Sequence, residues 1–83
     1  MPTSTLQLFH RISDGESARV RRLIVEMNLG NIQFRNVDVS DESNREITKA
    51  LGQVNVPAIR TEDGKWIVGF DAIETFFRSQ NAS

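Results

Sequence analysis

Asn55-Val56-Pro57-Ala58-Ile59-Arg60-Thr61 runs into Glu62-Asp63-Gly64, then Lys65-Trp66-Ile67-Val68, and closes on Gly69-Phe70-Asp71. The two apolar runs, Pro57–Thr61 and Lys65–Val68, flank an Asp-Gly turn signal, the pattern of a β-hairpin. Asp71 then opens a final helix with Ile73, Phe76 and Phe77 facing inward, and the polar tail from Ser79 is expected to fray.

Working back from the hairpin, Leu6 to Phe9 reads as a short strand with apolar residues at 6, 8 and 9. Ser13 with Glu16 three residues on has the form of a capping box, a helix start in which each residue satisfies a backbone N–H of the other. In the helix that follows, Val20, Leu23, Ile24 and Met27 fall at i, i+3, i+4 and i+7 and make one buried stripe. Gly30, in Asn28-Leu29-Gly30-Asn31, is the expected left-handed cap. Ile32 to Val39 reads as a second strand, with Ile32 and Phe34 alternating against polar neighbours. A phase slip at Asn36, before Val37 and Val39, suggests a bulge or an edge position. Ser40-Asp41-Glu42-Ser43 starts a second helix with Ile47, Ala50 and Leu51 as its stripe and Gly52 ending it.

The order is therefore β-α-β-α-β-β-α, an α/β chain expected to form one domain over residues 1–83. A helix joins the first two strands, so they should be parallel through a right-handed crossover. The hairpin adds two antiparallel strands, which makes a mixed four-stranded sheet.

At 83 residues, with 39% hydrophobic content, a chain of this size buries roughly 60–65% of its unfolded surface. A thin core between one sheet and a layer of helices is expected. Charged residues make up 25% and nearly cancel, for a formal charge of −1. That balance argues against nucleic acid, whose partners show a basic excess. No apolar stretch approaches the ~18–20 residues of a membrane span. Met1-Pro2-Thr3-Ser4-Thr5 lacks the basic start and hydrophobic run of a signal peptide, so a cytoplasmic location is the default expectation. Cysteine is absent. Thiol chemistry needs a thiolate, so dithiol exchange is excluded. His10 is the sole histidine, which makes a metal site improbable.

The order of elements resembles the thioredoxin fold of the glutaredoxins and of the N-terminal domain of glutathione transferases, over roughly Leu6 to Phe77. Asp14-Gly15-Glu16-Ser17 stands where glutaredoxins carry Cys-Pro-x-Cys, so Asp14 and Ser17 occupy the positions of the two cysteines. Asn55-Val56-Pro57-Ala58-Ile59 is similar to the family's Thr-Val-Pro segment, in which the proline is cis. Val68-Gly69-Phe70-Asp71 resembles its Gly-Gly-x-Asp turn. Ser17-Ala18-Arg19-Val20-Arg21 is similar to the start of the same helix in the transferases, but their Glu-Ser pair is absent at Gly69-Phe70, and their all-helical second domain is not expected here.

The resemblance implies a set of ligand-binding residues: Arg11, Ser13, Val56, Pro57, Gly69, Phe70 and Asp71. A cis peptide ahead of Pro57 would turn the N–H and C=O of Val56 outward, able to pair with an extended peptide as a short extra strand. Arg11 stands where glutaredoxins place a basic residue for a glutathione carboxylate, a contact that guanidinium geometry suits; the alternative is an exposed arginine at a strand end. Free N–H groups at Phe70 suit a ligand carboxylate, and Asp71 could accept from an ammonium or simply cap its helix. Asp14 and Glu16 meet the positive end of a helix dipole that in the family lowers a cysteine pKa. A carboxylate there forms no mixed disulfide and repels a thiolate, and both residues are also good helix starters. Trp66 is expected to pack, and Arg19, Arg21 and Arg22 to form a solvated basic cluster or to meet a partner's acidic patch.

Three functions compete. The leading one is a redox-inactive binding module for an extended peptide or protein partner at the proline edge, with no cofactor and with glutathione as the alternative ligand. The second is a minimal glutathione-dependent transferase using the Ser13 or Ser17 hydroxyl. The third is a structural subunit that assembles through its sheet edge or its Phe-bearing helix; the sequence leaves the oligomeric state open.

Overall fold

The computed structural model describes residues 5–81. The first four residues and the last two, including parts of the N-terminal stretch and the polar tail discussed above, lie outside that range. Four strands and three helices follow in the order β1 (Leu6–His10), α1 (Gly15–Glu26), β2 (Ile32–Asn36), α2 (Asp41–Leu51), β3 (Ala58–Arg60), β4 (Trp66–Val68), α3 (Phe70–Asn81). They form one sheet in the order β2-β1-β3-β4. β1 and β2 are parallel, with Leu6 opposite Ile32 and His10 opposite Asn36. β3 runs antiparallel to both β1 and β4, pairing Phe9 with Ala58 and Ala58 with Val68. Among the described residues no helix is long and apolar enough to cross a membrane.

Alternation along β1 sends successive side chains to opposite faces. Leu6 and Leu8 join Val20, Leu23 and Ile24 of α1, Ile59 of β3, and Ile73 and Phe77 of α3. Phe9 joins Val37, Ile47 of α2 and Ala58, with Leu51, Val54, Val56, Trp66 and Val68 packed around them. Helices therefore cover both faces rather than forming the single layer expected from composition. A strand as apolar as Leu6–Phe9, buried on both sides, is what such a central position demands.

Several boundaries differ from the sequence reading, each for a local reason. The N-cap of α1 is Asp14, whose carboxylate accepts from the Ser17 N–H at 2.7 Å, so no Ser13–Glu16 capping box forms. The left-handed residue after α1 is Asn28 (φ 55°) and not Gly30. Leu29 N–H bonds the Ile24 carbonyl and Asn28 N–H that of Val25. This is a Schellman motif, which needs its left-handed residue directly after the helix, and asparagine tolerates that conformation. β2 ends at Asn36 without a bulge. Val37 drops into the core from the turn beyond it, while Val39 stays 81% exposed. Phe34 is also about half exposed, because β2 is an edge strand with no neighbour on its outer side. Ala50 is exposed on α2, leaving Ile47 as its buried anchor. Gly52, at φ 82°, ends that helix as expected. The hairpin strands are shorter than expected, three residues each.

Candidate functional site

Because β1 and β2 are parallel while β3 starts and β4 ends beside the C-terminal end of β1, four connections meet at one end of the sheet. These are the β1–α1 loop with Arg11–Asp14, the β2–α2 turn with Asp38, the Val56-Pro57 segment, and the Gly69-Phe70 entry to α3. The topology alone brings Arg11, Ser13, Asp14, Val56, Pro57, Gly69, Phe70 and Asp71 to one rim.

The Val56-Pro57 peptide bond is cis. Pro57 is buried, and its carbonyl accepts from the Gly69 N–H at 3.0 Å, which ties this segment to the start of α3. Val56 packs its side chain against the Phe9–Ile47–Ala58 cluster. Its backbone N–H and C=O, two residues before β3, hydrogen-bond to no other described residue. Gly69 stands at φ 94°, a conformation that favours glycine, and its carbonyl caps α3 by accepting from Ile73. Since α3 begins at Phe70, Asp71 lies in its first turn and is exposed; it is not the N-cap.

The groups offered to an anion at this rim are already in use. Phe70 N–H donates to Glu16 Oε1 at 2.9 Å, so a carboxylate from α1 sits on the first amide of α3. One turn further along α1, the Arg19 guanidinium lies 4.0 Å above the Phe70 ring. Arg11 Nε donates to Asp38 Oδ1, also at 2.9 Å. Ser17 is fully buried, and its hydroxyl accepts from the Arg11 N–H at 3.3 Å, fixing the β1–α1 loop rather than facing the rim. Ser13 is exposed.

The arginines of α1 divide: Arg19 and Arg22 lie on the exposed side of the helix, and Arg21 turns back to the end of β1. Arg21 donates to His10 Nδ1 at 3.1 Å and to the Arg11 and Ile12 carbonyls, while Arg22 reaches Glu26 on its own helix. As arginine can only donate, His10 carries its proton on Nε2. Burial, and then the Arg21 charge, lower the His10 pKa from its ordinary 6.5. Among the described residues no three histidine, aspartate or glutamate side chains gather to hold a metal ion.

Sequence reasoning did not find Glu16 on Phe70 or Asp38 on Arg11. Glu16 and Phe70 are 54 residues apart and share no motif; only the packing of α1 beside α3 joins them. It also missed a network on the α2 face. There Glu46 bridges Arg35 at 2.5 Å and Arg60 at 2.7 Å, and both guanidiniums lie near the Phe9 ring. Trp66 packs on Phe9 at 4.9 Å between ring centres, the packing role expected of it. Two surface clefts, of about 550 and 320 Å³, open by the hairpin turn around Thr61 and Glu62; neither is lined by Val56, Pro57 or Phe70.

No family model matches this chain, and no curated protein sequence matches it. Solved structures do. A buckwheat glutaredoxin in complex with glutathione is 24% identical with a TM-score of 0.69, the alignment covering 93% of this chain and 71% of that one. A dithiolic glutaredoxin from Trypanosoma brucei brucei gives 22%, a TM-score of 0.70, and 96% and 91% coverage. The holo form of glutaredoxin C1 from Populus tremula x tremuloides gives 18%, 0.68, and 92% and 76%. This chain, without a cysteine, has the thioredoxin fold in the arrangement those glutaredoxins share.

Proposed function

We propose that this chain is a non-catalytic binding module that takes an extended segment of a protein partner along the backbone of Val56. The observation that carries this reading is the N–H and C=O of Val56, which pair with no other described residue and are held beside β3 by a side chain packed against the core. Unpaired backbone beside a sheet is a template for another strand, whose main-chain bonds supply affinity while neighbouring pockets supply selectivity. Exposed Ile12 and Val39, on the two loops that Arg11 and Asp38 join, give the same rim apolar surface for side chains of the bound segment. A nearly neutral formal charge supports a protein rather than a nucleic-acid partner, and we place the module in the cytoplasm.

Thiol exchange has no nucleophile here. A serine-based transferase is disfavoured by the burial of Ser17 and the use of its hydroxyl by Arg11 N–H. Glutathione, which the buckwheat glutaredoxin holds, is the second and weaker ligand class: it would meet Arg11, Gly69, Phe70 and Asp71 only by displacing Asp38 from Arg11 and Glu16 from the Phe70 amide.

The test is an amide-resolved NMR titration of the labelled protein with extended peptides obtained by selection from a random library. The reading expects shifts and slowed exchange at Val56 with intermolecular strand-type contacts to its backbone. Peptides that bind only around Thr61–Lys65, leaving Val56 unchanged, would refute it.

A further inference from the structure

We propose that Glu16 and Asp38 are built-in carboxylates that determine specificity by closing this rim to acidic ligands. Two groups there are suited to receive an anion: the first amide of α3, where N–H groups and the helix dipole favour negative charge, and the Arg11 guanidinium. Each is held by a carboxylate of the chain itself at 2.9 Å.

Three features make these contacts specific rather than incidental. Glu16 lies in the first turn of α1, where a carboxylate is already favoured by its own helix. It nonetheless reaches across to α3 and leaves the α1 cap to Asp14. Glu16 and Arg19, three positions apart on one helix face, hold Phe70 by backbone and ring together. Asp38 is itself oriented, since its N–H donates to the Asn36 side chain at 2.9 Å.

An acidic ligand arriving at this end must displace both carboxylates. It also faces Asp14, and the exposed Asp71 in the first turn of α3. Arg21 offers little compensation, because its guanidinium is committed to His10 Nδ1 and two backbone carbonyls. A neutral or basic segment meets no such competition. This exclusion holds whether or not a peptide pairs with Val56.

Reduced glutathione, with two carboxylates, is the probe. Wild type, Glu16→Ala, Asp38→Ala and the double variant are titrated by NMR, following the Phe70 amide and Arg11 Nε–H; Glu26→Ala, at the far end of α1, is the control. The double variant should bind at least tenfold more tightly than wild type, about 1.4 kcal/mol, with shifts at both reporters and the single variants in between. Before any ligand is added, Glu16→Ala alone should already move the Phe70 amide. Equal affinity in wild type and double variant overturns the proposal, and so does the absence of binding in both. If the double variant does not fold, Glu16→Gln serves. It keeps an acceptor but loses the charge, and must still tighten binding several-fold; unchanged affinity there also overturns it. Glutathione is read at Phe70 and Arg11 and peptides at Val56, so failure here leaves the strand-pairing test intact.

Discussion

Replacing Glu46 by glutamine asks whether the network on the α2 face holds the fold or merely decorates it. Glu46 reaches Arg35 at 2.5 Å and Arg60 at 2.7 Å. The Arg35 side chain is 13% exposed and that of Arg60 25%, so both charges have lost much of their water. Removing the carboxylate leaves two guanidiniums beside one phenyl ring, each partly desolvated. The loss is not total. Arg35 keeps the Ser43 hydroxyl at 2.8 Å and the Glu42 carboxylate at 3.5 Å, and Arg60 keeps the Gln7 amide oxygen. Breaking a fully buried pair costs about 3–5 kcal/mol, whereas an exposed pair contributes about 0–1. A partly buried carboxylate serving two arginines that retain other acceptors falls between, at about 1–3 kcal/mol. For a domain of this size that lowers Tm by about 4–24 °C.

The assay is thermal unfolding followed by far-UV circular dichroism, repeated across acid pH. Hydrogen bonding from Arg35, and then from Arg60, holds the Glu46 pKa below its ordinary 4.5, against the opposing effect of burial. A depressed carboxylate pKa contributes stability that is present above the unfolded value and lost as pH falls through the folded one. The gap between wild type and Glu46→Gln should therefore be full at neutral pH and narrow below pH 4.5. A gap that is negligible at pH 7, or that persists unchanged at low pH, would show that Glu46 does not anchor the two arginines.

His10 titrates in a separate window. Its folded pKa lies below 6.5, so the unfolded chain binds more protons between the two values; stability is full above pH 6.5 and declines as pH falls beneath it. His10→Gln should flatten that slope, and an unchanged slope would assign it to another group. Gly69→Ala should cost about 1–2 kcal/mol through its left-handed backbone, with no clash, because a Cβ there meets no atom within 4 Å. Denaturant unfolding measures this, and an alanine variant as stable as wild type would mean the turn at Gly69 relaxes without harm.

Much of the architecture was legible from local rules. The Asp-Gly turn between two apolar runs marked the hairpin, and Val20, Leu23 and Ile24 marked the face of α1 that the core receives. Gly52 marked the end of α2, and the order of elements led to the mixed sheet. Errors fell where two local signals compete. Ser13 and Asp14 are both good N-caps, and Asn28 and Gly30 both tolerate a left-handed cap; side-chain reach and the Schellman bonds decided for Asp14 and Asn28.

By itself, the sequence determined the absence of a thiol and so of dithiol chemistry, the apolar run Leu6, Leu8 and Phe9 that marks a buried strand, and the set of residues that the order of elements carries to one rim. Periodicity, turn residues and composition act within a few positions of the chain, and these features need nothing more. Only the tertiary structure decided what that rim offers. Glu16 on the Phe70 amide, Asp38 on Arg11, Arg21 on His10 and Glu46 between Arg35 and Arg60 join residues on different elements. A carboxylate or guanidinium takes whichever partner lies within about 3 Å, and that distance exists only once the helices have docked on the sheet.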